Sequence, residues 1–399
     1  MSNPTADAEI RTETPARRAR VGRFLRILVG VTALVHVPVA LAVTELASRV
    51  GSVRPALWGL AWAFAGVGLF ASRARATVPD RPRGALALRF FDIPYFIHWC
   101  AAVYAFIPSV VATLVAPAVD ALRGAPIGLP MGAYLWSYGS GLVVCAYGVL
   151  LRRRWVCVVE REMQVPGLDR RFDGFRIAHL SDLHIGGLTP RSWGLSWARL
   201  SNDTSPDLAV VTGDMVTHGT AFHEDIADVV AALRAKHGVY VSLGNHDYFG
   251  EPEPLVRLLR ERGVGVLRNE GVVIERNGAR LWLAGIDDTW THRDDVKRAL
   301  SGRPSGVTSV LLAHDPAHFD RAADAGADVV LSGHTHGGQV AMPFVADALN
   351  LAFVYRYRVR FYRRGRSVLY VHPGLGTTGP PIRLGIAPEV TVLVLRASA

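Results

Sequence analysis

The stretch VVLSGHTHGGQV, Val329 to Val340, leaves a strand in an unusual way. An apolar run ends at Ser332-Gly333, and two histidines, His334 and His336, follow among glycines. Alone, such a pair reads as a polar turn. As a metal site it needs partners elsewhere, and four other segments share its plan. FRIAHLSDLHIG, DLAVVTGDMV, GVYVSLGNHDYFG and TSVLLAHDPAHF each run from an apolar strand into polar residues: Asp182 and His184, Asp214, Asn245 and His246, and His314. Helical patterns lie between them. Ile226, Val229, Val230 and Leu233 fall on one helix face, with Gly238 after it as a stop. EPLVRLLRERG reads as a shorter helix ending at Gly263, and Asn277-Gly278 as the turn of a hairpin. Strands alternating with helices predict an α/β layered fold, in which ligands gather at the carboxyl ends of strands.

The donors at those strand ends are two Asp, one Asn and up to five His, without a thiolate. Mixed oxygen and nitrogen donors suit Mn, Fe or Zn better than Ca. They are too many for one tetrahedral site, so two divalent metal ions are expected, bridged by a carboxylate at about 3.5–4 Å. Such a pair binds the attacking and leaving oxygens of a displacement at phosphorus and makes hydroxide available near neutral pH. Gly213, Gly244, Gly333 and Gly337 would permit backbone conformations that a side chain resists and let a phosphate approach.

In order, DLH, GDMV, GNHD, the lone His314 and GHTH resemble the five blocks of the calcineurin-like metallophosphoesterases, over about Phe175 to Leu395. GHTHGGQ and GLGTTGPPIRLGIAPEVTVLVL resemble its YkuE/YaeI-like branch, which includes membrane-associated phosphodiesterases. The resemblance implies a four-layer α/β/β/α sandwich. It implies that Asp182, His184 and His336 hold a first metal, that Asn245, His314 and His334 hold a second, and that Asp214 bridges them. His246 would be the catalytic residue, a general acid or a stabiliser of transition-state charge beside the phosphate, with Asn245 and His246 contacting substrate. Asp247 would orient the His246 ring. Thr217 stands where many relatives carry an acidic residue, and HPGLG at 372–376 replaces an arginine-containing form. His372 reads as a structural loop histidine. His179, His218, His223, His237, His292 and His318 read as non-ligands.

The first half differs in texture. Hydrophobic residues make up 50% of the 399. Up to Trp155 there are 17 Lys+Arg against 7 Asp+Glu, and beyond it 27 against 27, so the first part carries the whole formal charge of +10. A nucleic-acid binder would place that excess on its soluble domain; no nucleic-acid partner is expected. Four apolar runs, Ile27–Thr44, Pro55–Ser72, Ile93–Val119 and Leu129–Leu151, approach the length of about 20 residues that crosses a bilayer. Arginines precede the first run, separate the second from the third and close the fourth as Arg152-Arg153-Arg154. The positive-inside rule then predicts four crossings of the cell (inner) membrane, with the second half cytoplasmic. Glu45 and Asp92 fall at predicted ends, where the interface would solvate them, and Trp58, Trp62, Trp99 and Trp136 read as interface anchors. Cys100, Cys145 and Cys157 suggest no disulfide framework.

The expected domains are a basic segment 1–23, a four-helix transmembrane region 24–151, a linker with a first strand 152–174, and the metallophosphoesterase-like domain 175–399. VYRYRVRFYRRGRSVLYV reads as a hairpin turning near Gly365, with Arg356, Arg358 and Arg360 on one face. This is either a solvated basic face or a contact for anionic head groups, at about 1 kcal/mol per arginine; Arg356 and Arg358 are candidate substrate contacts. The expected function is a membrane-anchored dinuclear-metal phosphodiesterase using metal-activated hydroxide. The alternative is a signalling or scaffold protein that binds a phosphate ligand without turnover. Lipid-linked, nucleotide and phosphoprotein substrates remain open, as does oligomeric state.

Overall fold

The computed structural model describes residues 15–76, 84–126, 128–341 and 350–398. They group into two compact units: Met1–Pro79 with Tyr95–Cys145, and Asp80–Pro94 with Ala146–Ala399.

The N-terminal helices are α1 (Pro15–Arg49), α2 (Pro55–Ala76), the short α3 (Ala85–Ala87), α4 (Ile93–Arg123) and α5 (Leu129–Leu150). Four spans are long and apolar enough to cross a membrane, the last two being Ala85–Arg123 and Pro130–Arg154. Between α3 and α4 the ladder widens into a π turn at Leu88–Asp92. Pro94 follows, and it has no N–H to offer the carbonyl four residues back. Asp92, expected at a solvated end, is buried there. Trp99 is likewise not a free interface anchor: its Nε1 donates to Thr32 Oγ1 at 3.1 Å. Beside it, His36 Nε2 meets His98 Nε2 at 3.1 Å, and His98 Nδ1 meets the Tyr138 hydroxyl at 2.7 Å. Few partners other than each other can satisfy such groups inside an apolar bundle.

The second unit holds two six-stranded sheets. The first runs β1 (Cys157–Pro166), β12 (Glu389–Ser398), β2 (Arg176–Leu180), β3 (Leu208–Thr212), β4 (Val239–Ser242), β5 (Gly265–Val266). The second runs β10 (Arg360–Arg364), β11 (Ser367–Val371), β9 (Val329–Ser332), β8 (Ser309–Leu312), β7 (Ala279–Gly285), β6 (Glu270–Arg276). Strands β2 to β5 are mutually parallel, as are β7, β8, β9 and β11. Both central sets read as continuous apolar runs because both faces are covered. Phe172, Phe175, Leu281, Leu331, Tyr370 and Leu393 fill the space between the sheets. On the outer face of the first sheet lie α6 (Arg191–Asp203), α7 (His223–Ala231) and α8 (Pro252–Glu261), through Trp197, Ile226 and Leu255. On the second lie α9 (Val296–Ser301) and α10 (Phe319–Asp324), through Val296 and Phe319. The four-layer α/β/β/α expectation is borne out. The carboxyl ends of β2, β3, β4, β8 and β9 come to one edge of this sandwich.

The arginine-rich hairpin forms with its turn at Gly365, but strand pairing begins only at Arg360. Residues 351–359 are turns, because Tyr357 folds into the outer core against Phe319 and Tyr362. The expected alternation of faces from Arg356 therefore does not exist.

Candidate metal centre

Three of the five strand ends, those of β2, β3 and β9, carry their donors into backbone turns of unusual conformation. Asp182, His184, Asp214, His334 and His336 all have positive φ, between 44° and 70°. Non-glycine residues there cost about 1–3 kcal/mol each and persist where the surroundings enforce them. The enforcing contacts are visible. Asp247, in the one-turn helix after β4, accepts four backbone N–H bonds: Asp214 and Gly244 on Oδ2, Met215 and Val216 on Oδ1, at 2.8–3.0 Å. Burial and neighbouring Asp214 push its carboxyl up to about 7, against the pull of those N–H groups. Both oxygens acting as double acceptors suits the ionised form. Asp247 thus shapes the turn that carries Asp214; it does not bond the His246 ring, contrary to expectation. That ring is held by its Nδ1, 2.9 Å from the Thr217 carbonyl oxygen.

The donors converge. His184 Nε2 lies 3.1 Å from His336 Nε2, which lies 3.2 Å from Asp182 Oδ1. Asp214 Oδ2 sits 3.7 Å from His184 Nε2 and 3.2 Å from His314 Nε2. Asp182, His184 and His336 form one potential metal-holding group; Asp214, His314 and His334 form another, and Asp214 also groups with His184 and His246. His184 and His314 place Nδ1 against the carbonyl oxygens of Val216 and Thr212. Donation from Nδ1–H leaves Nε2 free as a ligand, the usual arrangement around a metal.

One buried atom in this cluster, Asn245 Oδ1, has no hydrogen-bond partner, and His314 Nε2 faces only the Asp214 carboxylate, 3.2 Å away. A buried polar atom without a partner is costly, and a cation would satisfy it. The charge pattern agrees. Burial opposes ionisation of Asp214, yet His314, His246 and His184 hold it well below the usual carboxylate range. Burial opposes the His314 imidazolium, yet Asp214 and Asp182 hold it up at about 10. Asp182 is pushed up to about 6, chiefly by burial. Burial lowers His184 to about 3 and His334 to about 4. The site therefore draws in positive charge while keeping most of its imidazoles neutral. The residues present fit two divalent cations.

Gly213 and Gly337 take the positive φ expected of them, 75° and 56°, whereas Gly244 and Gly333 act through space. Gly244 has an ordinary extended φ of −111°, but a Cβ there would meet Asp214 Oδ1 at 2.3 Å. At Gly333 a Cβ would meet Asp182 Oδ2 at 2.3 Å.

His246 stands at the rim, half-buried, its ring 4.7 Å from that of His184 and 4.4 Å from that of Phe249. Its Nε2 is 3.5 Å from Thr378 Oγ1. Trp290 and Tyr355 place their rings 6.1 Å and 5.5 Å from His334. These aromatics carry no motif of their own, and sequence reading missed them. It also missed Arg383, fully buried, whose guanidinium donates to the carbonyls of Pro373 and Gly376 and comes 3.4 Å from His336 Nδ1. It occupies the neighbourhood of the HPGLG loop, where an arginine was missed in sequence. His372 is fully buried against His179. Arg356 is not brought to the centre; its guanidinium pairs with Asp320 on α10 at 2.7 Å. Arg358 turns its Nε to the Tyr355 carbonyl, and its own carbonyl reaches the histidine loop, accepting from Thr335 Oγ1.

The profile of calcineurin-like phosphoesterases matches residues 175–338. A zebrafish (Danio rerio) transmembrane protein with metallophosphoesterase domain is 32% identical over 268 residues, 64% of this chain and 60% of that protein. Two uncharacterized metallophosphoesterases of Bacillus subtilis are also similar. YkuE is 28% identical over 69% of this chain and 96% of its own length. YkoQ is 32% identical over 57% of this chain and 86% of its own. This chain thus spans about six-tenths of the zebrafish relative.

Proposed function

We propose, from the premise that this chain belongs to the calcineurin-like metallophosphoesterase family, that it is a membrane-anchored phosphodiesterase with a dinuclear metal centre. Asp182, His184 and His336 would hold one cation and Asn245, His314 and His334 the other, with Asp214 between them. The cations, of Mn, Fe or Zn type, would supply Lewis acidity toward the phosphate and lower the pKa of water. The chain's own residues do the rest. Asp247 fixes the Asp214 turn. Thr217 holds the His246 ring by its Nδ1, so that Nε2 faces the mouth, where it can stabilise charge or hand a proton to the departing alcohol. The observation that carries the reading is the convergent carboxylate and imidazole cluster, with the buried Asn245 Oδ1 left unsatisfied inside it.

The test is hydrolysis of an aryl phosphodiester by the full-length protein with Mn²⁺ and with chelator, beside Asp214→Asn and His246→Ala. Metal-dependent turnover reduced in both supports the reading. Metal bound without turnover of diester or monoester moves it to a phosphate-binding scaffold, a role for which a histidine at the rim has no evident use. The arginine distribution supports a cytoplasmic catalytic domain at the inner membrane; periplasmic activity of a reporter fused after Ala399 would overturn that placement.

A further inference from the structure

Two predicted membrane spans run directly into the catalytic unit. At the start of the span Ala85–Arg123, Leu88 packs so closely on Gly187 that a Cβ there would meet it at 2.9 Å. Gly187 lies three residues past His184. At the end of the span Pro130–Arg154, a Cβ on Gly148 would meet Ile382 at 2.8 Å, and Arg153 donates to the Leu188 carbonyl at 3.0 Å. From there isolated β-bridges join neighbouring segments of the chain. Leu384 and Gly385 pair with Val340, Ala341 pairs with Asn350, and Leu351 N–H donates to the Val340 carbonyl at 2.9 Å. Two ladder spacings, about 10 Å, thus separate the helix contact from Leu351.

That outer edge is apolar and open to solvent: Leu351 is 60% exposed, Phe353 67% and Val354 72%. Tyr355, next in sequence, stacks edge-on to His334, and Trp290 beside the same histidine is 61% exposed. Large apolar side chains exposed together mark a contact surface. In a chain with membrane spans, Trp and Tyr side chains suit the bilayer interface and exposed aliphatic side chains suit its apolar side.

Resting on the phosphodiesterase reading, we propose that the mouth of the metal centre opens at the bilayer surface, that the edge 351–354 seats in the head-group region, and that the ester hydrolysed is the phosphodiester of a membrane lipid. One water is consumed. Its oxygen bonds to phosphorus, the bond from phosphorus to one alcohol oxygen breaks, and that alcohol leaves with a proton. The product is a phosphate monoester.

The experiment uses the full chain in nanodiscs of phosphatidylglycerol and phosphatidylethanolamine with Mn²⁺. An environment-sensitive dye is placed at Phe353→Cys in a Cys100→Ala, Cys145→Ala, Cys157→Ala background. Lys236→Cys, at the opposite strand ends, is the control. Spin-labelled lipid is expected to quench the dye at 353 several-fold more than at 236; equal quenching overturns the surface. In parallel, Leu351→Ser/Phe353→Ser/Val354→Ser is expected to lose at least tenfold in lipid turnover while aryl phosphodiester turnover stays within twofold. The milder Leu351→Ser/Val354→Ser pair, with Phe353 kept, guards against a folding defect and should show the same split. Aryl diester turnover with both lipids untouched, or equal loss on both substrates, overturns the substrate assignment. Loss of all turnover in the parent protein would instead refute the phosphodiesterase reading, and the quenching result still decides the surface.

Discussion

Asp214 has more imidazole neighbours than Asp182 or Asp247, and its two oxygens point different ways. Oδ1 accepts the His246 backbone N–H at 2.9 Å, and Oδ2 faces His314 and His184. Asp214→Asn keeps the shape and removes the charge that would hold two cations together. It is expected to lower turnover by at least about a hundredfold, with bound metal by elemental analysis falling toward about one per chain. Gly244→Ala is a steric counterpart: a Cβ 2.3 Å from Asp214 Oδ1 and 2.6 Å from its backbone N must displace the ligand, so activity should fall together with about 1–3 kcal/mol of stability. The charge on His314 sets a pH dependence. Its raised pKa, about 10, means that below that pH a cation must expel a proton to bind there. His184 and His334, lowered to about 3 and 4, are already neutral. Apparent affinity for the second cation should therefore rise about tenfold per pH unit between about 7 and 9. Calorimetry in buffers of different ionisation enthalpy should show about one proton released; none at pH 7.5 would refute the assignment.

Elements differ in how much of their role was legible. The strand-to-ligand transitions were readable because each joins a short apolar run to donors within three or four residues, a pattern local enough to need no partner. The segment 372–386 was not. Its Arg383 acts through the carbonyls of Pro373 and Gly376, contacts with no sequence periodicity. Arg383→Met should leave those acceptors unsatisfied at about 1–3 kcal/mol each and loosen the backing of His336, lowering metal affinity along with thermal stability; Arg383→Lys should recover part of the stability. The same distinction explains Arg356. Spacing placed it on a strand face, but the burial of Tyr357 broke the strand, and the side chain found Asp320 instead.

At the scale of the whole molecule, the stretch that leads from α5 into the second unit is packed within that unit and is not a free linker. The end of α5 packs on residues 382–384 and Arg153 holds the Leu188 carbonyl, so a fragment beginning at Val156 loses both contacts. Such a fragment should melt lower than the full chain in detergent and bind metal more weakly. Gly148→Leu in the full chain should reproduce part of this through overpacking, about 1–3 kcal/mol. The same change at Gly139, which has open space around it, should not. A fragment matching the full chain in both measurements would show that the helices only anchor.

By itself, the sequence determined the class of the fold, the family and the candidate donor residues, because strand periodicity, turn chemistry and ligand type are local properties read over a few residues. Only the tertiary structure decided which partners those donors have. Asp247 serving the Asp214 turn, Arg383 behind His336, aromatic rings beside His334 and the helix ends against Gly187 and Ile382 all join residues distant along the chain. Burial makes those contacts matter: away from water, an unmet carbonyl or carboxylate must find whichever partner the packing brings within reach.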